Sequence, residues 1–288
     1  MNQKFIGRLG KDTNGELGRR EFLQKIGMFG ASAAAFLTAA ENVQAAAEGT
    51  KEGDNRLQTE NIKYPGATGD VLAYLARPKG DAKVPAVIVI HENRGLLPHF
   101  KDVARRFALE GYLAIAPDGL SPLGGTPDDI NKAASMIREL DNQATIKNFV
   151  AAVQYLKTHP QTTGKVGCMG FCWGGGMTNQ VAVNSPDLIA AVPFYGSQPA
   201  ETDVAKIKAS MFCHYAENDQ RINAGIEAYE AALRKASIDY GIYIHKGAGH
   251  AFFNDTGKAY NKQAAELAWN LTISFFDVKL KGSSPPAK

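Results

Sequence analysis

A cysteine bracketed by glycines, Gly170-Phe171-Cys172-Trp173-Gly174-Gly175, is the cluster with the clearest chemical use in this 288-residue sequence. It stands between an apolar stretch, residues 165–171, that reads as a strand and a helical stretch beginning at Trp173. A nucleophile on so sharp a strand-to-helix bend follows the G-x-nucleophile-x-G pattern, with sulfur where serine is common. Side chains at the flanking positions would collide with the neighbouring strand or helix, so glycine is required there. The bend sets the sulfur at a helix amino terminus, a position expected to favour thiolate over thiol. A glycine-rich turn can instead cradle a phosphate, but no lysine follows and the spacing is not G-x-G-x-x-G.

Such a nucleophile needs a base and an orienting acid, arriving later in the chain on the ends of further strands. Of six histidines, His250 in Gly249-His250-Ala251 follows a strand at 240–246, where a loop can carry an imidazole over the bend. His214 and His245 fall within strands; His91, His99 and His159 precede the cysteine. For the acid, Asp219 in Glu217-Asn218-Asp219 follows a strand at 210–215 and is preferred to Glu217, while Asp118 comes too early; a helix-capping aspartate is the plain alternative for Asp219. This order implies attack by Cys172 on a carbonyl carbon, with His250 shuttling the proton and Asp219 fixing its tautomer. The oxyanion donors are expected to be the backbone N–H groups of Trp173 and of Asn93, in the loop after an apolar strand at 86–90.

That loop, Ile90-His91-Glu92-Asn93-Arg94-Gly95, together with the cysteine bend, Asp219 and Gly249-His250, resembles the dienelactone hydrolase (carboxymethylenebutenolidase) family over roughly residues 57–280. The resemblance implies an α/β-hydrolase fold, no cofactor, and a small ester or lactone as substrate. It also implies that Glu92 contacts the resting thiol and takes its proton when substrate arrives; on residue type alone, Glu92 reads as a polar strand-end residue. Family members hold a substrate carboxylate with arginines, one of them four residues past the histidine, where this chain has Asn254. Phe252 and Phe253 are expected to make an apolar rim, with Asn254 and Arg94 beside the substrate and Arg138 as a further candidate. His91 and Glu92 lack a third ligand at metal-binding spacing, so no metal is expected. A non-catalytic binding or thiol-sensing protein on the same scaffold, or an acyltransferase using the same residues, is the alternative reading.

The elements that must position these residues alternate. Strand-like stretches at 58–64 and 71–77 read as a hairpin, followed by strands at 86–90, 112–116, 165–171, 189–195, 210–215 and 240–246. Helical stretches fall near 100–109, in two runs up to about 157, from 173, at 224–236 and at 263–280. Strands that are apolar throughout and alternate with helices predict a mostly parallel central sheet with helices on both faces, the chemistry lying at the strands' carboxyl ends.

Hydrophobic residues at 44% and charged residues at 21% give an ordinary globular composition. Six of the 32 basic and four of the 29 acidic side chains lie in residues 1–47, so the remainder is nearly neutral. That balance argues against nucleic acid or an anionic membrane as partner and leaves a small molecule; it says nothing of oligomeric state. Residues 1–47 read as a twin-arginine signal peptide: Arg19-Arg20-Glu21-Phe22-Leu23, a weakly apolar run at 26–40, then alanines near 45–47. That run is too short and too polar for a good membrane span, and a periplasmic or secreted location follows. Residues 48–56 read as a polar tether, 57–280 as the hydrolase domain, and 281–288 as a flexible tail. Three cysteines leave at least one unpaired; Cys168 and Cys213, in apolar runs, are expected to be small buried hydrophobes.

Overall fold

In a computed structural model of the chain, the described residues are 6–9, 50 and 52–282. The core of the sheet is laid down by residues with no polar side chain to satisfy: Ala86, Val87, Ile88, Val89 and Ile90 are all fully buried in β4, Val84–Ile90. Alternation along that strand sends Val87 and Val89 to one face and Ala86, Ile88 and Ile90 to the other. Each face therefore needs its own helical cover. Helices α1 (Pro98–Leu109) and α8 (Lys262–Phe276) supply Phe100, Val103, Phe107, Ala268 and Trp269 to the first. Helices α3 (Asn142–Thr158), α4 (Trp173–Asn184) and α7 (Ile226–Lys235) cover the second, the first of them following α2 (Ile130–Glu139).

The strands are β1 (Ile6–Leu9), β2 (Leu57–Gly66), β3 (Gly69–Pro78), β4, β5 (Leu113–Pro117), β6 (Thr162–Phe171), β7 (Ala190–Phe194), β8 (Ser210–Asn218) and β9 (Tyr240–Gly249). They form one sheet in the order β1-β9-β8-β7-β6-β4-β5-β3-β2. Among the described residues only the pairs β2–β3 and β3–β5 are antiparallel; the first is the hairpin expected around Gly66 and Gly69. This is the mostly parallel sheet covered on both faces that the alternating pattern predicts, and the α/β-hydrolase fold that the resemblance implies. Strand order reverses at β4, which has β5 on one side and β6 on the other, so the loops leaving β4 and β6 diverge and open a crevice between them.

Two short helices, α5 (Glu201–Val204) and α6 (Gln220–Asn223), were not legible as separate elements, and α8 runs on into a π-helical turn, Asp277–Lys281. Of residues 1–47 the described part is β1, which pairs in parallel with Tyr240–Tyr243 at the far edge of the sheet; Arg19-Arg20 and the apolar run lie outside the described residues. In the tether, the N–H and hydroxyl of Thr50 both donate to Asp102 Oδ1 at 2.6 Å. No helix among the described residues is long and apolar enough to cross a membrane.

Candidate active site

Cys172 caps α4 with φ 55° and ψ −115°, a conformation L-residues rarely adopt. Its N–H donates to the carbonyl of Phe194 at 3.0 Å, pinning the bend to β7. A Cβ at Gly170 would strike the carbonyl of Gly174, and one at Gly174 would strike the carbonyls of Ile90 and His91. Glycine at both positions is thus what lets α4 start so close to β4 and β6, with the sulfur raised above the sheet.

The thiol donates to His250 Nε2 at 3.0 Å, and His250 Nδ1 donates to Asp219 Oδ2 at 2.5 Å. The ionised carboxylate can only accept, so the imidazole proton sits on Nδ1 and Nε2 is left to accept from sulfur. Asp219 is itself held: it is the N-cap of α6, and Oδ1 accepts from the N–H of Ile222. It is therefore both the capping aspartate and the partner of His250. Glu217, the rejected acid, lies at an irregularity in the β8–β9 pairing and accepts from the N–H of Gly247 at 2.8 Å. The structure thus brings Cys172, His250 and Asp219 together from the carboxyl ends of β6, β9 and β8.

The thiol's pKa is pushed up to about 11. Burial is the largest cause, because a thiolate would lose its hydration, and the negative charge of Glu92 adds to it. The N–H of Trp173 and the positive charge of Arg221 work the other way and are outweighed. The expectation that a helix amino terminus would favour thiolate is corrected: desolvation and a facing carboxylate win, and the resting sulfur is protonated.

Glu92 stands at the end of β4 in a cradle of neutral donors. Tyr195 Oη donates to Oε1 at 3.3 Å and Asn254 Nδ2 to Oε2 at 3.1 Å. Asn254 is 8% exposed, and its Oδ1 also accepts from the N–H and hydroxyl of Thr256. It is spent on Glu92 and on its own turn, which corrects its assignment to the substrate. Phe252 and Phe253 are also corrected: at 0% and 2% exposure they lie in the core, not on a rim. The cause is local. Ala251 takes φ 66° just past β9, which turns the next two side chains inward, Phe253 onto Phe171 and Phe252 against Tyr195 and His245.

Arg94 is exposed beside Asn93, and Arg138 is bonded to Ser135 on α2. Among the described residues the Asn93 N–H bonds no acceptor, whereas the Trp173 N–H faces the sulfur. Sequence reasoning missed Tyr195 and Arg221. Tyr195, at φ 36° after β7, packs 5.0 Å from the ring of His250, and nothing in its neighbourhood in the chain signals that. Arg221, two residues past Asp219, brings its positive charge to bear on the sulfur. Cys168 and Cys213 are buried free thiols, each pushed up to about 12 by burial. Among the described residues no group of three or more His, Cys, Asp or Glu side chains is arranged to hold a metal.

Comparison with known proteins adds the family. The model of the dienelactone hydrolase family matches residues 71–280. A Saccharolobus solfataricus protein provisionally named a carboxymethylenebutenolidase is 33% identical over 254 residues, covering 75% of this chain and 97% of its own. The usf protein of Aquifex pyrophilus is 38% identical over 216 residues, covering 72% and 92%. Among solved structures, a provisionally named dienelactone hydrolase from Klebsiella pneumoniae superposes with a TM-score of 0.70 at 28% identity, covering 77% of this chain and 99% of that one. A dienelactone hydrolase-like promiscuous phosphotriesterase from metagenomic libraries, TM-score 0.71 at 22% identity over 78% of this chain and all of its own, shares the fold. With a family model spanning most of its length and relatives matched nearly end to end, this chain belongs to the dienelactone hydrolase family and is a hydrolase.

Proposed function

We propose that the protein hydrolyses a small carboxylic ester or lactone through a Cys172-His250-Asp219 triad. The observation that carries this is the relay of two hydrogen bonds, 3.0 Å from sulfur to His250 and 2.5 Å from His250 to Asp219, at a strained bend.

The thiol gives up its proton as sulfur attacks the carbonyl carbon and the C=O electron pair moves onto oxygen. His250 Nε2 accepts that proton along the hydrogen bond from sulfur, and the Glu92 carboxylate, whose charge reaches the sulfur, is the acceptor to which the family resemblance gives the role. The His250 route leaves an imidazolium ready to protonate the departing alkoxide, whereas the Glu92 route needs one more transfer. The oxyanion is received by the N–H groups of Asn93 and Trp173, each such donor being worth on the order of 3 kcal/mol in the transition state. Collapse of the tetrahedral adduct breaks the C–O bond and leaves a thioester on Cys172. His250 then takes a proton from water, hydroxide attacks the thioester, and the sulfur leaves and is reprotonated.

Asn254 stands where the family resemblance places a carboxylate-binding arginine and is committed to Glu92, which favours substrates without a carboxylate at that point. The exposed Arg221 and Arg94 remain as the nearby positive charges. The test compares the 48–288 chain with its Cys172→Ala variant on p-nitrophenyl acetate and a panel of small lactones. Loss of turnover in the variant supports the triad, and equal turnover removes it. Competing alcohols or amines in the same assay separate hydrolysis from acyl transfer.

Export by the twin-arginine route is part of the proposal, supported by Arg19-Arg20-Glu21-Phe22-Leu23 and the weak apolar run behind it. Replacing both arginines by lysine is expected to retain the protein in the cytoplasm of the producing cell; unchanged export would contradict this.

A further inference from the structure

The peptide joining Glu92 to Asn93 is bonded at one end and free at the other. Its N–H, on Asn93, has no acceptor among the described residues. Its carbonyl accepts from His91 Nδ1 at 2.6 Å and from the N–H of Gly95 at 3.3 Å. Carbonyl and N–H lie in one rigid plane and point oppositely, so whatever aims the carbonyl aims the N–H.

The tautomer of His91 is dictated by its other partner. Nε2 faces the backbone N–H of Gly119 at 2.9 Å. A backbone N–H can only donate, so Nε2 carries the lone pair and Nδ1 carries the proton that reaches the Glu92 carbonyl. The ring is fully buried and stacks on the indole of Trp173 at 5.3 Å and 20°. Trp173 is the residue whose N–H is the second oxyanion donor, so one imidazole touches both halves of the hole. Space around it is closed: a Cβ at Gly119 would come within 2.8 Å of the Trp173 ring and 3.2 Å of His91 Nε2. Burial lowers the pKa of His91, and a protonated ring would set an N–H against the N–H of Gly119.

We propose that His91 is a positioning residue of the oxyanion hole, holding the Glu92–Asn93 peptide so that its N–H meets the developing oxyanion. Its hydrogen bond to the carbonyl also polarises that peptide and makes the N–H a better donor. The inference rests on Cys172 being the nucleophile and adds a residue that acts without touching substrate.

Amide side chains imitate the two ring nitrogens one at a time. In His91→Asn the side-chain nitrogen falls where Nδ1 stands and restores the donor to the Glu92 carbonyl. In His91→Gln the amide falls where Nε2 stands, keeping an acceptor for Gly119 and losing that donor. His91→Phe keeps a ring and loses both bonds. His91→Gln and His91→Phe are expected to lose about 10- to 100-fold in kcat, with KM within about threefold, somewhat less than removal of a whole donor. Inhibition by a trifluoromethyl ketone, which adds the thiol to form a tetrahedral oxyanion, is expected to weaken by the same factor, and His91→Asn to recover most of both. Melting temperatures of all three separate this from a packing effect, which would not split kcat from KM. Equal losses in the Asn and Gln variants, or unchanged kcat in either the Gln or the Phe variant, would overturn the inference. Cys172→Ala, assayed alongside, tells the two failures apart: if it turns over like the parent protein the triad falls too, whereas if it is inactive only the role of His91 falls.

Discussion

Two histidine pairings lie near one another at the β8–β9 end of the sheet, and they differ in everything except residue type. His250 bonds a carboxylate and a thiol with its side chain 31% exposed. His214 and His245, on β8 and β9 themselves, bond each other at 3.0 Å, with Thr272 of α8 closing the far side of His214 at 3.2 Å. Both of these rings are buried, and desolvation drives their pKa values down, that of His245 to about 3. An imidazole with a carboxylate behind it and a thiol in front is placed to pass a proton between partners; two imidazoles in a dry core are held neutral by the loss of hydration. Burial and partner, more than the residue itself, separate a proton carrier from a structural polar group.

The contrast is broken most severely at its reactive side. His250→Gln is expected to lower kcat/KM by about 10³-fold or more with little change in melting temperature, since its side chain is partly exposed. A loss under tenfold would put the base elsewhere. Asp219→Asn follows, with a loss of about 10²- to 10⁴-fold, because an amide can present its N–H to Nδ1 and trap the wrong tautomer.

The buried side predicts the reverse. His245→Leu strips His214 Nδ1 of its partner and should cost ~1–3 kcal/mol of stability, while kcat/KM moves by less than about threefold. Its pH dependence has a definite sign. The folded His245 refuses protons that the unfolded chain accepts, so stability falls as pH drops from about 6.5 towards 3. Denaturant unfolding across that range should show a shallower fall in His245→Leu than in the parent. A large activity loss with unchanged stability would mean that this pair belongs to the chemistry.

A smaller effect sharpens the account of the thiol. Alkylation of Cys172 by iodoacetamide is expected to be slow near neutral pH and to accelerate as pH rises towards about 11, where the thiolate forms. A fast plateau from acid pH upwards would indicate a resting thiolate–imidazolium pair instead. Arg221→Ala, which removes a charge that favours thiolate, should displace the curve to higher pH.

What the sequence makes legible follows from which constraints are local. The glycines around Cys172, the apolar run of β4 and the strand-end positions of Asp219 and His250 are set by steric or hydrophobic rules acting over a few residues, and their arrangement could be read directly. Phe252 and Phe253 could not: two aromatics after a strand look like a pocket rim until one backbone angle at Ala251 sends them inward. Tyr195 and His91 escaped because their roles depend on partners 103 and 28 residues away, Glu92 and Gly119. The state of the thiol was misjudged because a helix terminus is visible in a sequence, whereas the burial that outweighs it is a property of the whole fold.

The central claim is that sulfur at position 172 carries the acyl group between two half-reactions. Intact-mass spectrometry of protein acid-quenched during turnover of p-nitrophenyl acetate, followed by peptide mapping, tests it directly. One acetyl group on the Cys172 peptide, accumulating further in His250→Gln if deacylation slows more than acylation and absent from Cys172→Ala, is the predicted result. An acetyl group on a different side chain of a protein that still turns over when Cys172 is alanine would contradict it.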